Sequence, residues 1–337
     1  MHRCDRAQHT VRDRRCSTVH AVRILVTGAA GMIGRKLMER LARDGTLGGE
    51  PIAYVDLVDV VESAQPDALV ADLAEPGVAE GLVATRPDVV FHLAAVVSGE
   101  AEADFEKGYR VNLDGTRLLL DAIRALDDGY CPRVVFASSI AVYGGPFPDV
   151  IGDDYATTPR TSYGTQKAIG ELLLADYTHR GFLDGVGIRL PTICVRPGAP
   201  NKAASGFFSS IIREPLNGQQ AVLPVPDDVR HWHASPRAAV GFLLHAATID
   251  GYTLGDRRCL TMPGVSVTVA EQIAALRSVA GDEVVRLIRR EPDETVRRII
   301  ADWPRQFDTQ RANALGFRAE SSFEEIIRVY VEDELGS

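Results

Sequence analysis

The segment Thr27-Gly28-Ala29-Ala30-Gly31-Met32-Ile33-Gly34 joins an apolar, β-rich run at residues 23–27 to a stretch in which Ile33, Leu37, Met38 and Leu41 share one helical face. A strand that turns into a helix through glycines at this spacing restricts the fold more than any other feature of the chain. Gly28 permits a tight turn, Gly31 lets a backbone approach a pyrophosphate, and Gly34 lets helix and strand pack closely. The first amides of the helix, Met32 and Ile33 among them, offer N–H groups and positive potential to an anion. A dinucleotide is the ligand that such a turn serves.

The alternation of strand and helix continues. Further strands are predicted at residues 52–58, 89–93, 134–137 and 187–190, and Val111, Leu118 and Ala122 keep a helical face between two of them. This is the pattern of a doubly wound α/β fold, a parallel sheet covered on both faces. Residues 21–190 are thus predicted to form an NAD-binding Rossmann domain. After Arg189 the alternation weakens and a Pro-, Gly- and Ser-rich stretch follows. Residues 191–337 are read as a smaller, mainly substrate-binding lobe that can return a strand or helix to the first domain. Its helices are expected at 209–213, 236–247, 269–280 and 322–334, the last capped by Ser322.

Composition narrows the partners. A chain of 337 residues that is 45% hydrophobic can bury a substantial core, and its formal charge of -9 disfavours nucleic acid and anionic membrane surfaces, which reward excess Lys and Arg. A small molecule is expected instead. The five cysteines are widely spaced without a C-x-x-C pair, which suggests neither a disulfide framework nor a zinc site. No apolar run is long enough to span a membrane. Residues 1–20 hold Arg3, Arg6, Arg12, Arg14 and Arg15 but lack the apolar stretch of a secretory signal, so they are read as a disordered extension of a cytoplasmic protein, with Val19 a candidate alternative start.

Asp59 ends the second predicted strand, where a carboxylate accepts hydrogen bonds from the adenosine ribose and repels a 2′-phosphate, favouring NAD over NADP. Asp56 is the rival, and Asp72 and Leu73 could border the adenine. Tyr163 and Lys167 stand four residues apart, on one face of a helix. A free phenol has a pKa of about 10, so a base near neutrality needs roughly three units of stabilisation, about 4 kcal/mol, which a neighbouring ammonium and a cationic nicotinamide could supply. Upstream, Ser138 and Ser139 sit at the carboxyl end of a central strand, where open α/β sheets bind ligands.

Taken together, T-G-x-x-G-x-x-G at the first turn, His92-Leu93-Ala94-Ala95, Val111-Asn112, Ser138-Ser139 with Val142-Tyr143-Gly144, and Tyr163 with Lys167 resemble the extended short-chain dehydrogenase/reductase family, home of the nucleotide-sugar epimerases. The resemblance covers residues 22–334. It implies that Tyr163 is the general base, that Lys167 lowers its pKa and holds the nicotinamide ribose, and that Ser139 partners the substrate oxygen. Asn112 would support Lys167 through a water. Leu93, Ala94, Ala95 and Ser138 would line the cofactor, with Pro191 and Thr192 against the nicotinamide. The family's dehydratases carry an Asp-Glu pair where Ile140 and Ala141 stand here, which argues against elimination of water. Four further segments, 96–102, 188–192, 196–201 and 212–215, resemble a branch that oxidises four-carbon sugar acids with NAD. The activity so implied is oxidation at C2 to a 2-keto acid by a homodimer.

Such a substrate needs partners for its carboxylate. Asn201, Lys202, Ser205, Arg196 and Arg230 are available; Asn201 and Ser205 are the favoured orienting groups, Arg230 the favoured cation, and Ser98 and Thr192 also fall where the resemblance places the pocket. His231-Trp232-His233 lacks a convergent third ligand, so no metal is expected. Glu100, Glu102 and Asp104 read as a solvated loop, and His92 as a packed strand residue. The competing activities are a nucleotide-sugar epimerase with tightly bound NAD and a redox sensor without chemistry. Intact Ser139, Tyr163 and Lys167 argue against the sensor.

Overall fold

The computed structural model describes residues 21–62, 68–126, 128–198 and 205–336. The predicted strands are present as β1 (Val22–Thr27), β3 (Glu50–Asp59), β5 (Val89–His92), β6 (Arg133–Ser139) and β7 (Asp184–Leu190). Two short strands that carry no clear periodicity, β2 (Thr46–Leu47) and β4 (Leu69–Val70), flank β3. A late strand, Cys259–Thr261, completes one sheet in the order Cys259–Thr261, β7, β6, β5, β1, β3, β2, with β4 also on β3. All these pairings are parallel except β2 with β3. From β1 the chain builds outward first to β3 and then back to β5, β6 and β7, so the carboxyl end of β1 is the switch point where such sheets bind ligands.

Both faces are covered. Ile24 and Val26 of β1 pack with Leu37 and Leu41 of α1 (Met32–Asp44), whereas Leu25, pointing the other way, packs with Leu82, Leu119 and Leu174. Those leucines belong to α2 (Val78–Val83), α5 (Gly115–Ala125) and α6 (Ser162–His179). Between β5 and α5 lie two short helices, α3 (Ser98–Ala103) and α4 (Phe105–Tyr109), so the acidic stretch read as a solvated loop is helical. Its carboxylates have local work: Asp104 caps α4 by accepting from Lys107 N at 3.0 Å, and Glu102 accepts from Tyr163 N at 3.1 Å.

The second lobe has its own core. Phe208 and Ile212 of α7 (Gly206–Leu216) meet Ile273 and Leu276 of α9 (Val269–Ala280) and Ile326 and Ile327 of the helix Phe323–Tyr330. Ser322 caps that last helix through Glu325 N. The helix predicted at 236–247 is α8 (Pro236–Thr248), but it is not part of this core: its Phe242, Leu243 and Ala246 pack beside α1 under the parallel sheet. Its apolar residues cannot say which sheet they cover. Beside the lobe, a three-stranded sheet runs Val265–Thr268, Arg230–Ala234, Thr192–Ile193. Cys194 and Cys259 are free thiols, while Cys131 is disulfide-bonded, although the sequence suggested no disulfide. Among the described residues no helix is long and apolar enough to cross a membrane.

Candidate active site

The glycine turn is closed by contacts that tolerate no side chain. Gly28 has φ +75°, and a Cβ there would lie 2.6 Å from Ala94 N and 2.7 Å from the Leu93 carbonyl carbon; one on Gly34 would lie 2.4 Å from Gly28 O. Leu93 and Ala94 are thereby brought against the turn. Gly31 differs: only Gly28 O, at 3.3 Å, lies near a Cβ built there, so this face is open backbone. Gly31 begins α1 with no capping side chain, leaving the first helical amides, including those of Met32 and Ile33, for an anion. Asp59 Oδ2 accepts from Ala30 N at 2.9 Å, which fixes a carboxylate beside the turn, whereas Asp56 accepts from Thr85 Oγ1 on the exposed side. The residues present therefore fit a dinucleotide.

Behind the turn a histidine ties the cradle together. Thr116 Oγ1 donates to Asn112 O at 2.7 Å, so His92 Nε2 donates to Thr116 at 2.9 Å and Nδ1 accepts from Thr27 Oγ1 at 2.7 Å. Thr27 Oγ1 in turn accepts from Ala94 N. Burial pushes His92 down to about 3, so the ring is a neutral bridge.

Tyr163 and Lys167 lie on the first turns of α6, which Thr161 caps by accepting from Gly164 N at 3.0 Å. Burial raises the Tyr163 phenol above its ordinary value, against a hydrogen bond from Ser139 and the charge of Arg196, both of which pull it down. The ammonium of Lys167 is buried, donates to Ala137 O at 2.8 Å and stands 5.9 Å from the centre of the Tyr163 ring. Burial lowers its pKa to about 8, opposed by Glu171. The sequence named Lys167 as the charge that acts on the phenol; Arg196 is a further positive charge that favours its ionised form.

Other expected site residues are engaged elsewhere. Ser138 is buried and gives its hydroxyl to Glu171 Oε1 at 2.6 Å, and Glu171 also holds Arg189 in a buried ion pair at 2.7 Å. Asn112 lies in a π-helical turn, Arg110–Asp114, and its side chain is taken up by Val96 N, Val96 O and Gln166 Oε1. Its direct partners thus brace the loop after β5 and reach Gln166. Asp72 pairs with Arg110, and Leu73 is part of the core. Arg230 pairs with Glu271 at 3.1 Å and donates to Ser266 O. Ser205 is buried and accepts from Arg196 Nη2 at 2.9 Å. Asn201 and Lys202 lie outside the described residues. Ser98 opens α3, which packs against α6, while Ala95 lies in the segment after β5 and Pro191 directly follows β7.

Thr192 donates to His231 Nε2 at 2.7 Å, because His231 Nδ1 faces the carbonyl of Pro304 at 2.9 Å and must carry the proton. Among the described residues no group of three or more His, Cys, Asp or Glu side chains is placed to hold a metal ion. Sequence reading missed Thr27, Thr116, Gln166, Glu171 and Arg189. Thr27 and Arg189 fell inside segments read for other reasons, and Glu171 stands four residues after Lys167 on the same helix.

Comparison with known proteins bears on this cleft. The model of the NAD dependent epimerase/dehydratase family matches residues 24–235. The chain belongs to the NAD-dependent epimerase/dehydratase family. It is an NAD-dependent oxidoreductase. It is 50% identical to D-erythronate dehydrogenase of Cupriavidus necator over 92% of its own length and 98% of that protein. It is 39% identical to D-erythronate dehydrogenase of Haemophilus influenzae, over 93% of this chain and 100% of that one. A solved structure of a nucleoside-diphosphate-sugar epimerase from Agrobacterium tumefaciens superposes with a TM-score of 0.93 at 62% identity, covering 97% of this chain and 99% of that one. Family membership accounts for the open glycine turn and the Tyr163–Lys167 helix in one chain.

Proposed function

We propose that this family member oxidises D-erythronate, or a close four-carbon aldonate, at C2 to the 2-keto acid with NAD. The observation that carries the reading is the near full-length identity to two D-erythronate dehydrogenases. In this reading residues 21–190 bind NAD and residues 191–337 contribute most of the substrate pocket, with α8 and Cys259–Thr261 returned to the main sheet. Gly28, Gly31, Met32, Ile33 and Gly34 would hold the pyrophosphate, Asp59 the adenosine ribose, Lys167 the nicotinamide ribose. Bound NAD supplies the acceptor for the hydrogen and electron pair that leave C2.

The remaining chemistry belongs to the chain. Tyr163, as phenolate, takes the proton of the C2 hydroxyl while the C2–O bond becomes a carbonyl. Ser139, whose hydroxyl favours the ionised form of Tyr163, holds the substrate oxygen in line. The positive charges of Lys167 and Arg196 favour the phenolate at a site whose burial otherwise opposes it. Incubation of the protein with NAD and D-erythronate should accumulate NADH and 2-keto acid in equal amounts.

A second reading, a nucleotide-sugar epimerase, is favoured by one observation, the 62% identity to the Agrobacterium protein. An epimerase returns what it removes. It would convert a nucleotide sugar with no net NADH, so the same assay separates the two.

A further inference from the structure

Arg196 is a half-buried arginine with no carboxylate partner among the described residues. Its Nε donates to Ile193 O at 2.9 Å, its Nη2 to Ser205 Oγ at 2.9 Å, and its backbone N to Ser209 Oγ at 3.1 Å, all of them neutral acceptors. Neighbouring Arg213 shows the contrast: it is paired with Glu214 at 2.6 Å and donates to the Arg196 carbonyl. Taking a guanidinium out of water without a counter-charge is costly, and here burial does lower its pKa. The groups that surround it are Tyr163, Cys194, Arg213, and His231 and His233, both held neutral by burial. None of these is an anion at neutral pH. The charge is nevertheless near enough to Tyr163 to favour its ionised form.

We propose that Arg196 is the anchor for the substrate carboxylate, with Ser205 holding the guanidinium toward Tyr163. The proposal rests on the reading that the substrate is a small sugar acid. A guanidinium with two edges tied to the protein has its remaining N–H groups fixed in a plane, which suits the two oxygens of a carboxylate. Anchored there, an acid whose C2 hydroxyl meets Tyr163 presents its adjacent carbon to the cation. The arrangement also explains why Ser205, an expected orienting group, gives its oxygen to arginine.

The test compares D-erythronate with erythritol, the polyol that lacks the carboxylate, as alternative substrates for wild type, Arg196→Gln and Ser205→Ala, with the dissociation constant for NAD measured on each. Wild type should prefer the acid strongly, and, compared on the high-pH plateau of each variant, Arg196→Gln should lose about 30- to 100-fold in kcat/KM for the acid, mostly through KM, as expected for a charged hydrogen-bonded pair, so that its preference for the acid over erythritol falls by a similar factor. The ascending limb of its pH profile on erythritol should move to higher pH, since the phenol has lost a stabilising charge. Ser205→Ala should lose about three- to tenfold on the acid alone, which guards against misfolding of the arginine variant. NAD affinity should stay within about twofold in both. If the preference for the acid survives in Arg196→Gln, or acid and polyol fall together, the anchor is elsewhere and the proposed function stands. If wild type turns over a nucleotide sugar and no small acid, both fall.

Discussion

Arg189 and Arg196 stand on the same stretch of chain, and their surroundings differ. Arg189, at the end of β7, is gripped by both oxygens of Glu171, with Tyr143 and Ser138 completing the network. Among the described residues Arg196 meets only hydroxyls and carbonyls. Arg189 thus has its charge matched within the fold, whereas Arg196 carries the charge that the proposal assigns to the substrate. A closed network makes a rigid platform for a reaction common to the family. An open one is where members can differ in what they bind.

Several substitutions would break or sharpen this contrast. Tyr163→Phe on the platform should cut turnover by roughly 100- to 10,000-fold with NAD affinity nearly unchanged, read by steady-state kinetics and NAD titration. Retained turnover would remove Tyr163 from the chemistry. Arg189→Leu leaves the buried Glu171 with only the Ser138 hydroxyl and the charge of Lys167, and should cost about 3 kcal/mol of stability in denaturant unfolding. Arg196→Leu should cost far less, since it strands no partner charge; equal losses would mean that the two arginines are alike.

Acid should weaken the platform and lobe together through their buried histidines. Burial holds His92 at about 3 and His231 at about 4, below the ordinary 6.5, so below pH 6.5 the unfolded chain binds more protons than the folded one. Their contribution is fully present above pH 6.5 and is lost as pH falls toward those folded values, at up to about 1.4 kcal/mol per pH unit for each ring. Unfolding midpoints between pH 7 and pH 5 should therefore drop, and His231→Gln should flatten the slope. The smallest effect is expected at the cofactor edge: Asp59→Ala should weaken NAD roughly tenfold and narrow the preference over NADP. Unchanged discrimination would move that role to another residue.

The platform was legible in the sequence because its parts are local. Gly28, Gly31 and Gly34 declare a strand, a turn and a helix in a few residues, and Tyr163 and Lys167 share a face by spacing alone. The supporting network was not, since Ser138, Glu171 and Arg189 meet only once three separate elements are packed. The same reason hid α8: its apolar face is obvious, its destination beneath the parallel sheet is not. In the lobe, the sequence favoured Ser205 as an orienting group and Arg230 as the cation, with Arg196 only among the available residues, because all three are polar residues beside irregular backbone. Folding separates them, sending Arg230 to Glu271 and Arg196 toward Tyr163.

The central claim is that this cleft oxidises a short sugar acid with net reduction of NAD. Its most direct test is the comparison of kcat/KM for D-erythronate, L-threonate, other sugar acids and nucleotide sugars, with NADH absorbance as the readout. The account predicts that D-erythronate or a close stereoisomer leads and that NADH accumulates with turnover. A nucleotide sugar converted more than tenfold better, without net NADH, would contradict it and establish the epimerase in its place.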